Sequence, residues 1–415
     1  MSTRIIADLM IPGRGEPVSN AMVVLDHGQI RFAGPRSSAP SDSALDLDSG
    51  SVDVEVPAVM PGFWDCHAHF FGMPVVDLER LALTSPVVTA ARATADLART
   101  LAGGVTSVRD VGGPGIHLAT AVNEDSIPGP HIHAAGAILT TTGGHADIHS
   151  MPLDWVHQLE DANGVGFVCD GVPEVMRAVR RNLRSGAALI KICASGGVVS
   201  EVDHPIHQQF SDEELRAIVE EASRSERWVA AHCHGKPGIM AALRAGVKTI
   251  EHGSYLDEEA VDAMLEADAM LVPTRFVVDD LVDKTESLPS YVAEKMLMVA
   301  GHHEKALKLA IAKGVRIAAG CDIFVSGDTY GRNSLEIRHL IDAGMTDLEA
   351  IEAATATGPE TLGPQAPDNG QLKEGMQADV IAMDANPLDD RSVWGNPDRV
   401  SHVWKSGQLA KSPEP

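Results

Sequence analysis

Short apolar runs separated by helical patterns dominate the middle of the chain. Residues 105–108, 132–139, 188–193, 228–231, 247–250, 270–272 and 315–319 are rich in small or β-branched side chains. Such runs suit strands covered on both faces. With residues 59–65 the strand count is eight. Helices are predicted between several of them. Ser211-Asp212-Glu213-Glu214 is a capping box that opens a helix over 212–225, and Thr346-Asp347-Leu348-Glu349 is another. Residues 257–267 and 290–313 also carry a helical pattern. Eight strands alternating with helices predict a (β/α)8 TIM-like barrel in the α/β class. A doubly wound sheet would carry a glycine-rich phosphate turn after its first strand, and none is present.

The two ends alternate differently. Residues 21–30 read as a strand, a turn at His27-Gly28 and a second strand. Residues 379–384 and 400–404 are strand candidates, with turns at Asn386-Pro387 and Ser406-Gly407. One small β-sandwich domain assembled from both termini is expected, with boundaries 1–58, 59–365 and 366–415. Between the third and fourth barrel strands, residues 140–173 form a long segment suited to a lid or binding loop. It contains Thr142-Gly143-Gly144-His145-Ala146-Asp147.

Composition narrows the function. At 415 residues, 44% hydrophobic and 22% charged, the chain is long enough for a large core. Its 58 acidic and 33 basic side chains give a net charge of −25. That field repels phosphate backbones and anionic lipid, so neither nucleic acid nor a membrane surface is an expected partner. No apolar run has transmembrane length, and the first residues lack a signal-peptide core. The five cysteines form no CxxC pair, which predicts a reduced, cytoplasmic protein.

Barrel enzymes keep their chemistry where strands end. The first ends in Asp65-Cys66-His67-Ala68-His69, and alternation puts both histidines on one face. With 18 histidines in the chain, about one His-x-His pair arises by chance, and three occur: His67/His69, His131/His133 and His232/His234. Position chooses between them. The fourth strand holds Lys191 between Ile190 and Ile192. A buried lysine is costly unless paired or neutralised. Carbamylation by carbon dioxide is one solution, because the resulting carboxylate can bridge two cations; an ion pair inside the barrel is the other. The fifth, sixth and eighth strands end at His232, His252 and Asp322. Packing alone does not explain this set at the tops of five strands.

Met60-Pro61-Gly62-Phe63-Trp64-Asp65-Cys66-His67-Ala68-His69 resembles the opening motif of the amidohydrolase superfamily. Ile190-Lys191-Ile192-Cys193-Ala194-Ser195-Gly196-Gly197, Ala231-His232-Cys233-His234-Gly235 and Ile250-Glu251-His252-Gly253 are similar to its Xaa-Pro dipeptidase and ochratoxin-hydrolysing branch. Gly375-Met376-Gln377-Ala378-Asp379-Val380 looks like that superfamily's re-entry into the terminal domain. The resemblance implies two divalent ions, usually zinc. His67, His69 and Asp322 would bind one, His232 and His252 the other, and carbamylated Lys191 would bridge them. It also implies a homo-oligomer. Two departures stand out: Cys321 replaces a common threonine, and Arg275 follows Thr274 where an apolar residue is usual. Single-metal deaminases place a proton-shuttling Glu three residues after the fifth-strand histidine; here that position is Gly235.

The resulting expectation is a binuclear metal-dependent hydrolase of C–N bonds. Asp322 would take a proton from the attacking water and pass it to the leaving amine. His145 is the candidate second oxyanion donor. Arg275 would anchor a free substrate carboxylate, with His234 and Tyr255 lining the pocket. Dipeptides or N-acyl amino acids are the leading substrates; small xenobiotic amides, carbamates or ureas are the alternative. A metal-free binding protein on the same scaffold would not need all six ligand types. Arg109 and Asp110 are expected to brace each other. Cys66, Cys233 and Cys321 are expected to face the strand–helix layer, and Cys193 to face inward.

Overall fold

Period-two alternation at the termini builds one sheet, and the doubly covered runs of the middle build another architecture inside it. In this computed structural model residues 2–41, 43–45, 51–163 and 165–413 are described. The strands are, in chain order, β1 (Thr3–Met10), β2 (Val18–Asp26), β3 (Gln29–Pro35) and β4 (Val52–Pro61). The middle contributes β5 (Phe63–Met73), β6 (Val105–Asp110), β7 (His131–Ala134), β8 (Ile138–Thr140) and β9 (Gly166–Val168). It continues with β10 (Ile190–Cys193), β11 (Val229–Cys233), β12 (Thr249–His252), β13 (Met270–Val272) and β14 (Ile323–Val325). The C-terminal segment adds β15 (Val380–Met383), β16 (Val400–Lys405) and β17 (Gln408–Lys411).

The expected β-sandwich takes the form of a seven-stranded sheet in the order β17-β16-β15-β4-β1-β2-β3. Ile5, Ala7, Val23, Leu25, Ile30, Val56, Val380, Ala382 and Trp404 form its own buried core. The alternate residues Ile381 and Met383 pack instead into the main core with Phe63, as a pleated strand requires. The tight turns at His27-Gly28 and Ser406-Gly407 are real: all four residues have positive φ, which matches the twist of the strands they join.

The barrel strands run parallel in two arcs, β14-β5-β6-β7 and β8 to β13. Hydrogen bonds link the arcs on both sides. The Ala188 N–H donates to the Ala134 carbonyl at 2.8 Å, just before β10. On the other side Leu271 pairs with Ile317, and the Cys66 N–H donates to the Ala319 carbonyl at 2.9 Å. Residues 316–319 thus stand between β13 and β5 as the eighth stave.

Three expected elements are reshaped. The run 59–65 divides at Gly62: β4 stays in the terminal sheet and β5 opens the barrel. Gly62 sits against Thr106, where a Cβ would come within 2.1 Å of its hydroxyl oxygen. The run 132–139 divides into β7 and β8, which lie in different arcs. The long segment 140–173 is structured, holding the helix Leu153–Asn163 and β9. Both capping boxes form, at Ser211/Glu214 and Thr346/Glu349. Among the described residues no helix is long and apolar enough to cross a membrane.

Candidate active site

The tops of β5, β10, β11, β12 and the eighth stave converge. His67 and His69 are buried on β5, with Asp322 beside them: its Oδ1 lies 3.6 Å from His67 Nε2 and 3.4 Å from His69 Nε2. Lys191, 2% exposed, reaches to 3.2 Å from His67 Nε2. The ligand atoms of His67, His252 and Asp322 lie within 4.8 Å of one another, and so do those of His232, His234 and His252. The six expected ligands are therefore brought together. His234 joins them and also lines a cavity beside the cluster.

Each imidazole has one nitrogen committed elsewhere. His67 Nδ1 pairs with Glu251 at 2.8 Å, and His69 Nδ1 donates to the Gly112 carbonyl at 2.8 Å. His234 Nδ1 bonds Ser254 and His252 Nδ1 bonds Thr274, both at 2.7 Å. His232 uses its other nitrogen, donating Nε2–H to the Gly196 carbonyl at 3.1 Å. The donor set therefore offers Nε2 from four rings and Nδ1 from His232. Burial pushes His67 down to about 4 and His234 to about 3, and holds His232 and His252 well below the ordinary histidine value. Neutral rings with one fixed nitrogen and one bare lone pair are what a metal ion requires. Burial likewise lowers the Lys191 ammonium, against the pull of Glu251, favouring its free amine. Burial raises the Asp322 carboxyl, but His67 and His69 outweigh it and hold the group below its ordinary value. The residues fit divalent ions.

Backbone strain marks the same place. His252, Thr274 and Asp322 have φ of 69°, 56° and 56°. Non-glycine residues in this region cost about 1–3 kcal/mol each and persist where their surroundings hold them. Here the Asp322 N–H is held by the His67 carbonyl at 2.7 Å, and Thr274 by its hydroxyl bond to His252. The break at His252 also lets consecutive Glu251 and His252 both serve the site.

Two buried carboxylates hold the ligands in place, and neither stood out in the sequence. Glu251 takes the Arg109 guanidinium at 2.6 Å. Burial pushes its carboxyl up, but Arg109 pulls it further down, to about 2. Asp65 Oδ1 accepts the backbone N–H groups of His67 and Cys321, each at 3.0 Å, and Oδ2 accepts Asn333 at 2.6 Å. It ties the first stave to the eighth. The signal for both was available: a carboxylate inside a barrel strand is as costly as Lys191 and needs the same explanation.

Three expectations change. Arg275 does not face the histidines. β13 ends at Val272, Thr274 turns the chain, and Arg275 opens the helix Arg275–Asp283. Its guanidinium pairs with Asp279 in the helix layer. Tyr255 also lies outside, its ring stacked on His302 at 4.5 Å, although its N–H bonds the His234 carbonyl. Arg109 does not brace Asp110, because neighbours on a strand face opposite ways. Arg109 donates to Glu251, Thr249 and the Cys66 carbonyl, while Asp110 lies against Gly115. Cys193 packs with Ile138 and Ala146. Cys66 and Cys321 do turn to the outer layer, towards the carbonyls of Gly358 and Asn333, and Cys233 lies in the main core.

The site opens into two apolar cavities. One, of about 520 Å³, is walled by Phe71, Met73, Leu78, Ile138, Val165 and Phe324 around His69 and Asp322. The other, of about 350 Å³, adds Val198, Val277, Val278 and Met296 to His232, His234 and His252. His145, Val199, Phe324 and Asp322 line both.

Buried histidines, a lysine and a carboxylate at the strand ends of a parallel barrel define a metal-dependent hydrolase. The amidohydrolase family model matches residues 58–410, and the chain belongs to that family. Ochratoxinase from Aspergillus niger is 44% identical over 424 aligned positions, covering 99% of this chain and 87% of the relative. The crystal structure of A. niger ochratoxinase superposes with a TM-score of 0.90 at 42% identity, covering 99% of this chain and 96% of that one. That of a Xaa-Pro dipeptidase with methionine bound in its active site gives 0.86 at 32% identity, with 99% of each chain covered. The protein is a metal-dependent hydrolase of amide bonds.

Proposed function

We propose that the enzyme cleaves the amide bond of N-acyl amino acids or dipeptides carrying bulky apolar groups, with two zinc ions. His67, His69 and Asp322 would hold one ion, His232 and His252 the other, with Lys191 bridging as its carbamate. Imidazole and carboxylate donors suit zinc. The depressed Lys191 ammonium supports the carbamate, since only the free amine attacks carbon dioxide, releasing one proton. When bound, the ions supply Lewis acidity, lowering the pKa of water and polarising the scissile carbonyl.

The chain supplies the rest. Asp322, its carboxyl held below the ordinary value beside His67 and His69, would accept the attacking water's proton and return it to the leaving nitrogen. Phe71, Met73, Val199 and Phe324 exclude bulk water and strengthen each charge interaction inside. The observation that carries the substrate class is this apolar wall directly beside His69 and Asp322. The ochratoxinase relative supports the same reading.

A second reading follows from Arg275. With its guanidinium in the helix layer, no lysine or arginine among the described residues lines either cavity, which suits neutral amides, carbamates or ureas. Matched N-aroyl-phenylalanine, its carboxamide and N-aroyl-glycine separate the two. The first reading expects kcat/KM highest for the free phenylalanine acid and much lower for glycine. Equal rates on acid and carboxamide would put neutral amides first. Equal rates on phenylalanine and glycine would remove the apolar-pocket reading.

A further inference from the structure

Pro273 and Thr274 carry the chain from β13 into the helix Arg275–Asp283, and side chains from two other helices hold this corner. On one side Glu336 accepts the N–H groups of Arg275 and Phe276. On the other, His303 Nε2 lies 2.6 Å from the Pro273 carbonyl oxygen. His303 belongs to the helix Ser290–Lys313, on the face that buries Val292, Met296 and Val299. A carbonyl can only accept, so Nε2 carries the proton. The other ring nitrogen, Nδ1, is buried without a hydrogen-bond partner among the described residues. A charged ring would bury a second N–H there with nothing to take it, so the ring is neutral. Burial pushes it the same way, down to about 4. His303 is 1% exposed. A side chain needed only for packing would be apolar at such a place, because the bare Nδ1 is a polar group withdrawn from water.

The bond falls where it governs the backbone. The proline ring fixes φ at position 273. That leaves ψ of Pro273 and φ of Thr274 as the soft torsions on either side of the peptide between them. Turning this peptide over reverses its carbonyl and takes φ of Thr274 from positive to negative, with little movement of the flanking chain, as type II and type I turns differ. The direction of the Pro273 carbonyl therefore selects the conformation of Thr274. Thr274 holds φ 56° and ψ 42°, the left-handed region that a β-branched side chain rarely enters. It is fully buried. In that conformation its hydroxyl lies 2.7 Å from His252 Nδ1 and leaves Nε2 of His252 for the ligand cluster. The path runs from His303 through one peptide to Thr274, and from there to His252.

We propose that His303 is a positioning residue: by holding the Pro273 carbonyl it keeps Thr274 left-handed, so that the Thr274 hydroxyl fixes the His252 ring for the ion assigned to His232 and His252. This rests on the reading of His252 as a ligand of that ion. The helix Ser290–Lys313 thereby shapes the metal site without lending it a ligand.

The test compares the zinc-loaded native enzyme with His303→Leu, which fills the space and removes the donor, and His303→Gln, whose side-chain N–H replaces Nε2–H. Chelator competition measures the affinity of each zinc ion. His303→Leu is expected to bind one ion about 10–100-fold more weakly, the usual effect of removing the outer support of a ligand, and to leave the other unchanged. His303→Gln is expected to recover most of the loss. Thr274→Val should repeat the His303→Leu result. The double variant should be no worse than Thr274→Val alone, because both changes cut one path. Native affinity for both ions in His303→Leu, an equal loss in His303→Gln, equal weakening of both ions, or additive losses in the double variant would each overturn the proposal. A crystal structure of zinc-loaded His303→Leu is expected to show the 273–274 peptide turned over and Thr274 at negative φ. Positive φ there would overturn the proposal whatever the zinc content. If His303→Leu does not fold, His303→Asn, too short to reach the carbonyl, takes its place with the same outcomes. His252→Ala is the control for the underlying reading. Two ions bound at native affinity in that variant would remove His252 from the ligands, while the crystal structure still decides whether His303 sets Thr274.

Discussion

Glu251 shows how one buried side chain organises several others. It neutralises Arg109 inside the barrel and orients the His67 ring, so a single carboxylate serves both stability and the site. Glu251→Gln keeps the shape and removes the charge. Arg109 is then buried with no counter-ion, which costs about 3–5 kcal/mol. His67 also loses the partner that fixes its tautomer, an effect typically worth about 10–100-fold in metal affinity. Thermal melts and chelator competition should report both losses. Unchanged metal affinity would mean that His67 is held by the protein without Glu251. His67 was legible in the sequence because His-x-His at a strand end has a chemical reason. Glu251 was legible only as a costly buried carboxylate; its role depends on Arg109 from another strand.

At the scale of the element, the helix Arg275–Asp283 explains where the reading of Arg275 failed. Placing that side chain needed the residue at which β13 stops, and a shift of one position at a strand end turns a side chain to the other face. The decisive contact lies far along the chain. Glu336 accepts the N–H groups of Arg275 at 3.0 Å and Phe276 at 2.6 Å, capping the helix from outside. Burial pushes the Glu336 carboxyl from 4.5 up to about 8. Between those values the folded chain holds a proton that the unfolded chain has released. Stability from this group therefore falls as pH rises from 4.5 to about 8. Glu336→Gln cannot ionise and lacks that slope. Urea unfolding of both proteins across this window should show the native advantage shrinking as pH rises. A constant difference would mean that Glu336 is ionised throughout.

For the whole molecule, the proposed ligands come from five staves, so bound ions would act as cross-links that the unfolded chain lacks. A metal present at about 100 times its Kd adds about 2.7 kcal/mol to stability. Chelation should lower the Tm while leaving the far-ultraviolet spectrum near its native form, and should abolish activity. Reloading should restore two ions per chain by elemental analysis and should depend on bicarbonate, because the bridge needs carbon dioxide. Full loading of two ions in carbon dioxide-free buffer would count against the Lys191 carbamate. A single tightly bound ion with full activity would remove the binuclear reading.

The sequence by itself determined the alternating strands and helices, the turns at His27-Gly28 and Ser406-Gly407, and the capping boxes at Ser211 and Thr346. These depend on neighbours within a few residues, where periodicity and hydrogen-bond reach are short-range. It also made the set His67, His69, Lys191, His232, His252 and Asp322 legible as candidate metal ligands, because strand ends are local features and such polar groups are costly to bury without a purpose. Tertiary structure alone decided what crosses the barrel. It set Glu251 against Arg109, turned Arg275 and Tyr255 away from the cavities, and placed Ser200, Asp203 and Lys295 behind His145. Those pairings join residues up to 142 positions apart, as Arg109 and Glu251 are. Apart from the Arg275–Asp279 pair, four residues apart on one helix, no local pattern encodes them; they exist only once the chain has closed around its core.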